Sequence, residues 1–205
     1  MTPRRERPPD PVGATPLTDE DLEGLIPTDV ATRGDLDRAE LENIVEARTW
    51  AAGRTWKPDT VLDSHTLADL HRRMFGQVWR WAGKWRTRET SIGIAPERIQ
   101  TELRMLVDDA LAWTEFTTYT VDEIAVRFHH RLVFIHPFPN GNGRHARLAA
   151  DVLMRSLGQP VCTWSQRPGV LPARTRCRQA LQARDRDRGD GTSVPQVPSG
   201  WAGAR

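Results

Sequence analysis

A twelve-residue segment concentrates the residue types that can bind phosphate and move a proton. It reads His136-Pro-Phe-Pro-Asn-Gly-Asn-Gly-Arg-His-Ala-Arg147. Imidazole is the side chain best suited to accept a proton near neutral pH, so His136 is the candidate general base. Gly141 and Gly143 allow a ligand to approach the backbone closely. The segment is therefore a candidate site for chemistry on a phosphorylated substrate.

The phosphate part of this prediction depends on the helix expected after the glycines. A helix start presents N–H groups without intrahelical acceptors, and its dipole favours an anion. Arg144 and Arg147 are three residues apart, so they share a face of the first turn and can form forked contacts with phosphate. Asn140 and Asn142 add amide groups, and Phe138 is interpreted as the anchor that buries the loop.

Each part of this pattern also has a purely structural interpretation. A His before Pro often ends a helix, a Gly-rich turn often joins two helices, and paired Arg residues are usually surface charges. The segment Gly141–Ala146 also matches the G-x-G-x-x-A dinucleotide fingerprint. That fingerprint follows a strand, whereas the upstream apolar residues have helical spacing, and the expected acidic residue about 20 positions later is missing. The convergence of all parts within twelve residues favours a phosphate site.

Other nucleotide and metal sites are disfavoured by their missing motifs. His129 and His130 are adjacent, so they face different directions on a helix, and no H-E-x-x-H occurs. No G-x-x-x-x-G-K-[ST] phosphate loop occurs either.

The elements that must position the segment are predicted to be helices. Apolar residues at helical spacing predict helices near 35–52, 61–74, 96–113, 121–135 and 144–157, with a weaker pattern at 173–186. Capping boxes are expected at Thr60–Asp63 and Thr120–Glu123. β-branched residues around a Gly at 86–95 suggest a short hairpin. The fold class is therefore all-α, mostly helical, with one small β-hairpin flap.

Composition predicts one domain with flanking segments. A hydrophobic content of 38% in 205 residues can form one core, which would include Trp79, Trp81 and Trp85. No run of eighteen apolar residues occurs, and no apolar stretch follows the basic N-terminus, so neither a membrane span nor a secretory signal is expected. Cys162 and Cys177 are interpreted as free thiols in a cytoplasmic protein, with a disulfide as the alternative.

Four segments are expected along the chain. They are a disordered lead-in (1–16), an N-terminal helical segment (17–59), a catalytic core (60–158) and an Arg/Pro-rich, partly disordered C-terminal segment (159–205). Residues 165–205 hold eight Arg and three Asp but no Lys or Glu. Such a basic tail can bind nucleic acid. However, Trp201 is its only aromatic residue, so a solvated tail is preferred and nucleic acid is not an expected partner.

The twelve residues resemble the core motif of the Fic family, H-P-F-x-[DE]-G-N-G-R-x-x-R. They match every specified position except Asn140, where the family has a carboxylate. The resemblance extends over about 60–158 and includes the flap. The whole chain is also similar to the bacterial group called mobile mystery protein B, through Thr32–Leu36, Met74–Gly83 and Phe128–Leu132. This resemblance implies the mostly helical Fic fold.

The resemblance implies a protein adenylyltransferase, which transfers AMP from ATP to a Ser, Thr or Tyr hydroxyl of a target protein. His136 would be the catalytic base, and diphosphate would leave. The implied nucleotide-binding residues are Gly141, Asn142, Gly143, Arg144 and Arg147. Within this set the glycine backbone would form an anion hole, Asn142 would hold the α-phosphate, and the two arginines would pair with the β- and γ-phosphates.

The resemblance also implies a Mg²⁺ ion and a flap that binds the target. The family carboxylate coordinates the ion that bridges the phosphates. Asn140 keeps an oxygen ligand but loses the charge, so metal binding should depend more on the phosphates. Thr90, Ser91 and Ile92 of the flap would bind the target segment as an added strand.

A regulatory role for Glu42 is a further expectation from the resemblance. Many family members carry an inhibitory helix with the pattern [ST]-x-x-x-E-[GN], whose Glu pairs with the second motif Arg. Glu42 and Asn43 fit its last two positions, although Arg38 stands where Ser or Thr is expected. Glu42 would then pair with Arg147 and block the γ-phosphate. The alternative is a solvated surface carboxylate.

Several functions stay open at the sequence level. Within the family, the transferred group could instead be UMP, phosphocholine or phosphate, or the reaction could be removal of AMP. From a different class, the chain could be a catalytically weak nucleotide-binding regulator in a toxin–antitoxin-like system. In either case an antitoxin-like inhibitor protein is a conceivable partner. A nucleic-acid-binding protein is the third class, supported only by the basic tail.

Overall fold

Six α-helices make up most of the described part of the chain, which a computed structural model gives as residues 22–30 and 32–161. They are α1 (Arg33–Ala52), α2 (Pro58–Val61), α3 (Ser64–Phe75), α4 (Ile99–Glu115), α5 (Val121–Ile135) and α6 (Asn142–Ser156), with a 3₁₀ turn at Pro96–Arg98. Within these ranges no strand forms, and a single antiparallel bridge joins Leu25 to Trp79. The predicted all-α fold class is confirmed.

The helix starts follow from capping side chains. Thr32 and Asp35 form a reciprocal capping box at the start of α1. Thr120 caps α5 as predicted, accepting the main-chain N–H of Glu123 at 3.4 Å. The capping box predicted at Thr60 was wrong. Asp63 is itself the cap of α3, because the preceding residues form the separate short helix α2.

Helix α6 lies at the centre of the fold. Ten of its fifteen residues are buried, and it packs against α5 and the shorter α2 and α3. On either side, α1 packs on α3 and α4 packs on α5. Trp79 is buried in the core as expected, whereas Trp81 and Trp85 are only half-buried. Because the core surrounds α6, the N-terminal turn of this helix has a fixed position.

The hairpin predicted at residues 86–95 was wrong, because this segment is a loop without paired strands. Its backbone groups bond to side chains instead. The Arg86 guanidinium donates to the carbonyls of Arg88 and Ile94, and the Thr90 hydroxyl donates to the Ile92 carbonyl at 2.6 Å. These bonds occupy acceptors that a hairpin ladder would need. The segment is called the flap loop below.

Several sequence predictions lie outside the described residues. They concern the lead-in 1–16, the helix at 173–186, Cys162, Cys177 and the basic tail. The described residues all lie within one compact unit. None of the described helices combines the length and the apolar character needed to span a bilayer. The segment boundaries after 59 and 158 remain predictions.

Candidate active site

His136 sits where α5 ends and the Gly-rich segment begins. Its N–H donates to the Leu132 carbonyl at 3.2 Å, and its backbone is left-handed, with φ 54° and ψ 58°. This conformation is uncommon for a residue other than Gly and occurs where the surroundings impose it. Pro137 follows and prevents continuation of the helix. The side chain of the candidate base is thus buried at a constrained position, with 4% exposure.

A buried arginine, Arg86, holds the end of α5. Its Nε donates to the His136 carbonyl at 2.6 Å, and its Nη2 donates to the Ile135 carbonyl at 3.4 Å. Its main-chain N–H donates to the Pro137 carbonyl at 2.9 Å. Burial lowers the pKa of Arg86, although the Glu89 carboxylate acts in the opposite direction. A cation at the carbonyl end of a helix is favoured by the helix dipole.

The flap loop passes directly over His136. Gly93 has φ 110°, and a Cβ at this position would lie 2.6 Å from the His136 Cβ and 2.9 Å from Arg86 Nη2. Only Gly fits this approach. The Ile94 N–H donates to the Ile135 carbonyl at 3.5 Å. The loop and the candidate base are therefore in van der Waals contact.

The residues predicted to bind a target differ in exposure. Ser91 and Ile92 are exposed, the latter with 42% of its surface, while Thr90 is half-buried. Thr90 bonds within the loop, as described above. The outer rim of the flap loop is thus accessible, next to a buried His136.

The side chain of Asn142 closes the Gly-rich loop. Its Nδ2 donates to the Phe138 carbonyl at 2.8 Å, and its Oδ1 accepts the Phe138 N–H at 2.9 Å. Phe138 is fully buried, which confirms it as the anchor of the loop. The Asn142 amide uses one of its two Nδ2 N–H groups on the loop, so its expected contact with an α-phosphate remains a prediction. Asn142 can still present its main-chain N–H at the start of α6.

Two histidines that sequence reasoning missed support the anchor. The His71 ring stacks on the Phe138 ring with centroids 3.6 Å apart, and the His145 ring meets it edge-on at 4.9 Å. His71 Nδ1 accepts the Gly83 N–H at 3.0 Å, so its Nε2 is the nitrogen that donates to the Asn140 carbonyl, at 3.1 Å. His71 follows Leu67 and Leu70 on the apolar stripe of α3, a position that indicates burial.

Burial keeps both imidazoles neutral. Desolvation lowers the pKa of His71 well below its ordinary value, and the nearby His145 contributes in the same direction. Burial also lowers the pKa of His145 to about 4, although its bond to the Leu67 carbonyl opposes this shift. Neutral rings under the loop leave the positive charge of this region to the arginines of α6.

The turn into α6 requires glycine at position 141. Gly141 has φ 77° and caps α6, and a Cβ there would lie 2.6 Å from the Phe75 ring. Its N–H donates to Asn140 Oδ1 at 2.6 Å. Helix α6 starts at Asn142, two residues before the predicted start at Arg144. Its first turn therefore includes the backbone of the Gly-rich segment itself.

Arg144 is held by a buried carboxylate from α1. Its Nη1 donates to Glu40 Oε2 at 2.5 Å, and its guanidinium lies 4.8 Å from the centre of the Phe75 ring. Glu40 Oε1 accepts the Trp79 indole N–H at 2.7 Å. The Glu40 side chain is 6% exposed, whereas the Arg144 side chain is 36% exposed. Arg147 is half-buried, and its Nη1 lies 4.0 Å from the position that a Cβ on Gly143 would occupy.

The regulatory pair predicted between Glu42 and Arg147 is not formed. The buried positions of α1 are Leu36, Glu40, Asn43, Ala47 and Ala51. Glu42 is exposed, because two residues correspond to a rotation of about 200° around a helix. Glu40 is instead the acidic residue that reaches the Gly-rich segment. Its place on the buried stripe of α1 is the sequence signal that could have identified it.

The donor set of the loop suits a metal only when phosphate supplies most ligands. Among residues 22–30 and 32–161, no group of three His, Cys, Asp or Glu could hold a metal ion. Asn140 Oδ1 is a neutral oxygen that already accepts one N–H bond, and an amide oxygen can accept a second interaction. A hard cation such as Mg²⁺ prefers charged oxygens and retains water. The loop therefore fits an ion that arrives with phosphate oxygens.

The sequence of this chain is similar to those of several known proteins. The chain is 35% identical over 118 residues to "Protein adenylyltransferase fic-1" of Caenorhabditis elegans, covering 54% of this chain and 21% of that protein. It is 32% identical over 131 residues to "Probable protein adenylyltransferase y4lH" of Sinorhizobium fredii, covering 60% of this chain and 68% of that protein. The chain thus spans about a fifth of the length of its C. elegans relative.

A solved structure shares the fold. The BepC protein of Bartonella tribocorum, a VirB-translocated effector solved with bound AMPPNP, matches with a TM-score of 0.63 and 18% identity. The match covers 80% of this chain and 91% of that chain, and at this identity it shows the fold alone. Residues 61–154, which include His136 and the Gly-rich segment, match the Fic/DOC family itself. Taken with the S. fredii relative, this match shows that the chain belongs to the Fic/DOC family.

Proposed function

We propose that this protein is a protein adenylyltransferase that transfers AMP from ATP to a Ser, Thr or Tyr hydroxyl of a target protein. One observation carries the proposal. A buried His136 and the N-terminal turn of α6 are joined by the short, internally bonded loop 137–141. A proton acceptor and a phosphate site thereby have a fixed separation. The names of relatives that are 32% and 35% identical support the same reaction.

His136 supplies the base in this reaction. Its imidazole accepts the proton of the target hydroxyl, and the hydroxyl oxygen forms a bond to the α-phosphorus of ATP. The bond between the α-phosphorus and the oxygen bridging to the β-phosphate breaks, and diphosphate leaves. The contact of Gly93 with the His136 Cβ excludes solvent from one side of the base. Proton transfer is then restricted to a hydroxyl delivered beside the flap loop.

The phosphates bind at the start of α6. Main-chain N–H groups of Asn142 and Gly143 lie in its first turn, where the helix dipole favours an anion. The N–H of Gly141 is next to this turn and would have to leave Asn140 Oδ1 to bind a phosphate. A guanidinium has five N–H donors, and Arg144 uses one of them on Glu40. Arg144 has further donors beyond that one, and Arg147 lies in the same turn, so the two guanidiniums would pair with the β- and γ-phosphates. Neutral His71 and His145 add no competing charge.

Mg²⁺ is the metal that this chemistry implies. When bound, it would neutralise charge on the phosphates and on the departing diphosphate. Asn140 is the loop residue that would hold it, together with phosphate oxygens. Because Asn140 is neutral, we expect a weaker hold on the metal than in relatives with a carboxylate.

The flap loop binds the target in this proposal. Thr90, Ser91 and Ile92 form its outer rim, and their backbone would pair with an extended segment of the target. The target hydroxyl would then be placed over His136, which the flap loop touches through Gly93. In the same proposal the chain belongs to the mobile mystery protein B group and acts in the bacterial cytoplasm, where an antitoxin-like protein could restrain it.

A weakly catalytic nucleotide-binding regulator is the second candidate. Two observations favour it over a fast enzyme. Asn140 lacks the negative charge that a metal ion prefers in a ligand, and Glu40 accepts one of the N–H donors of Arg144. In that case ATP would bind while transfer would be slow or absent.

Transfer of the α-phosphate group is the direct test. The purified protein is incubated with cell lysate and ATP that carries label on either the α- or the γ-phosphate. We expect α-label on protein and no γ-label beyond that of a lysate reaction without the protein, and a parallel reaction with α-labelled UTP tests the alternative nucleotide. His136→Ala should reduce labelling by about 10²–10⁴-fold, because the general base is lost. Calorimetry should show that this variant still binds ATP.

A matched control is available in His65, an exposed histidine on α3. His65→Ala should label protein as the wild type does. Protein labelling by γ-label or only by UTP would replace AMP with another group. Label that survives in His136→Ala would exclude His136 as the base, and ATP binding without any labelling would favour the regulator.

A further inference from the structure

We propose that Arg86 is a positioning residue that couples the flap loop to His136, so that binding of an extended target segment and placement of the base become one event. This inference rests on the proposed function for its consequence in catalysis. Its structural part concerns contacts between Arg86, the flap loop and the end of α5, and can be tested without a reaction.

The bonds of the Arg86 side chain divide between two parts of the site. On the flap loop it donates to the carbonyls of Arg88, at 2.8 Å, and Ile94. At the end of α5 it donates to the carbonyls of His136, at 2.6 Å, and Ile135, at 3.4 Å. A planar guanidinium fixes the relative directions of its donors. The four carbonyls therefore have restricted positions relative to one another.

The bond to the His136 carbonyl restrains the conformation of His136 itself. The N–H of this residue is held by Leu132, and its carbonyl is held by Arg86. Fixing both groups restrains φ and ψ, and hence the direction of the Cα–Cβ bond that carries the imidazole. His136 is in the left-handed region, which non-glycine residues leave unless neighbours hold them there. Arg86 is the side chain that does so.

The flap loop packs tightly against His136. At Gly93 the loop backbone approaches so closely that a Cβ would lie 2.6 Å from the His136 Cβ and 2.9 Å from Arg86 Nη2. A displacement of the loop by a target segment must therefore move Arg86, His136 or both, because close-packed groups transmit displacement. The exposed residues Ser91 and Ile92 give a polypeptide segment access to this loop.

An anchor of purely structural value would not need a charge at this position. Arg86 is 4% exposed, and burial lowers its pKa, which reflects the cost of desolvating a cation. A neutral amide side chain would avoid that cost but has only two N–H donors, too few for the four carbonyls. The donors of Arg86 instead satisfy carbonyls from two segments, which an apolar side chain could not link. This difference supports a positioning role.

The experiment measures His136 directly by NMR of the six histidine rings in wild type, Arg86→Lys and Arg86→Gln. His136→Gln assigns the His136 signal. We expect both Arg86 variants to shift that signal while leaving the signals of His71 and His145 in place. The control is Arg131→Lys, which changes a half-buried arginine of α5 that binds Asp109 on α4. It should leave the His136 signal unchanged.

Kinetics then test the catalytic consequence. In the Arg86 variants, kcat for transfer should fall by about 10²-fold, as for a misplaced catalytic group. The dissociation constant for ATP, measured by calorimetry, should change by less than about twofold. The Arg86 side chain binds carbonyls of the flap loop and of the end of α5, whereas the proposed phosphate-binding arginines lie on α6. Arg86→Lys keeps the charge but lacks the planar guanidinium with its several N–H donors, so its kcat should stay below that of the wild type.

Failure of this inference and failure of the proposed function are distinguishable. Absence of AMP transfer in the wild type would remove the function but leave the NMR result to decide the positioning role. An unchanged His136 signal in Arg86→Lys, or an equal shift in Arg131→Lys, would overturn the inference. If neither Arg86 variant folds, hydrogen exchange of the wild type decides. The Ile94 and His136 amides should open with the same free energy, and separate opening would contradict the coupling.

Discussion

The two sides of the candidate site are held by opposite kinds of chemistry. On the side of the base, one buried cation, Arg86, bonds to backbone carbonyls of the flap loop and of His136. On the side of the phosphates, the loop is closed by the amide of Asn142 and supported by the neutral rings of His71 and His145. The comparison shows that a buried cation supports the side of the base, whereas uncharged groups support the side of the phosphates. Neutral supports leave Arg144 and Arg147 as the cations that an anion meets at the start of α6.

The two supports should therefore respond differently to perturbation. A guanidinium remains protonated across the working pH range, so the side of the base should be insensitive to pH through Arg86. The buried imidazoles accept protons less readily in the folded state than in the unfolded state, so the stability of the phosphate side should decrease as pH falls. Steric changes at a glycine should also be more damaging where aromatic rings are packed against it.

Gly141→Ala should have the largest effect of the three changes considered for this comparison. The new Cβ would combine a left-handed backbone with a 2.6 Å contact to the Phe75 ring. Strain and overpacking together should lower the free energy of unfolding by about 4 kcal/mol. Urea denaturation measures this quantity. Affinity for ATP should fall as well, because the first turn of α6 must shift.

Gly158→Ala is the matched control for this change. Gly158 has a similar φ of 72°, but nothing lies within 4 Å of its Cβ position. Its replacement should cost about 1–2 kcal/mol, the cost of the left-handed backbone alone. Equal losses in the two variants would show that the contact between the loop and Phe75 is unimportant.

Mild acid should destabilise the protein through His145. Its folded-state pKa of about 4 lies below the ordinary 6.5, so the unfolded state takes up the proton first as pH falls. The contribution to stability is complete above pH 6.5 and is lost as pH decreases towards 4, to a total of about 3 kcal/mol. The lowered pKa of His71 acts in the same direction. Urea denaturation at a series of pH values measures the slope of the free energy of unfolding against pH.

His145→Gln should reduce this slope, because it removes a titrating group and keeps an N–H donor for the Leu67 carbonyl. The control, His65→Gln, changes an exposed ring and should keep the wild-type slope. A slope that is unaffected by His145→Gln would mean that the acid response arises elsewhere.

Glu40→Gln should produce the smallest of the three effects. The variant keeps an acceptor for the Trp79 indole but removes the negative charge that pairs with Arg144. Arg144 should then bind phosphate more readily, and ATP affinity should rise by about fivefold, equivalent to about 1 kcal/mol. Calorimetry in matched buffers measures the change.

Glu42→Gln is the paired control, since Glu42 is exposed two residues away on α1. Its ATP affinity should equal that of the wild type. A larger gain for Glu42→Gln than for Glu40→Gln would restore the regulatory role expected of Glu42 from its sequence pattern. Lower affinity in Glu40→Gln would mean that Glu40 orients Arg144 for phosphate and does not compete with it.

Local sequence signals predicted the helices and the composition of the candidate site. Apolar periodicity and the cap at Thr120 located α5, and the Gly and Arg residues around position 142 indicated an anion site at a helix start. These features depend on residues within a few positions of one another. They can therefore be read from a short window of the sequence.

The residues that support the site could not be predicted in this way, because their partners are distant in the sequence. Arg86 bonds to His136 across 50 positions, His71 to Asn140 across 69, and Glu40 to Arg144 across 104. The hairpin prediction failed for a different reason, which lies within the segment 86–95 itself. Its β-branched residues suit a strand, but the Arg86 side chain takes carbonyls that a ladder would use.

The ring formed by Asn142 and the Phe138 backbone has a consequence for the entropy of ligand binding. Its two hydrogen bonds, at 2.8 and 2.9 Å, fix the loop during folding. A flexible loop must be ordered by its ligand, and each residue ordered at that stage costs about 1–2 kcal/mol. Here the cost is already met when the protein folds. The free energy released by phosphate contacts therefore appears almost undiminished as affinity, as in other preorganised sites.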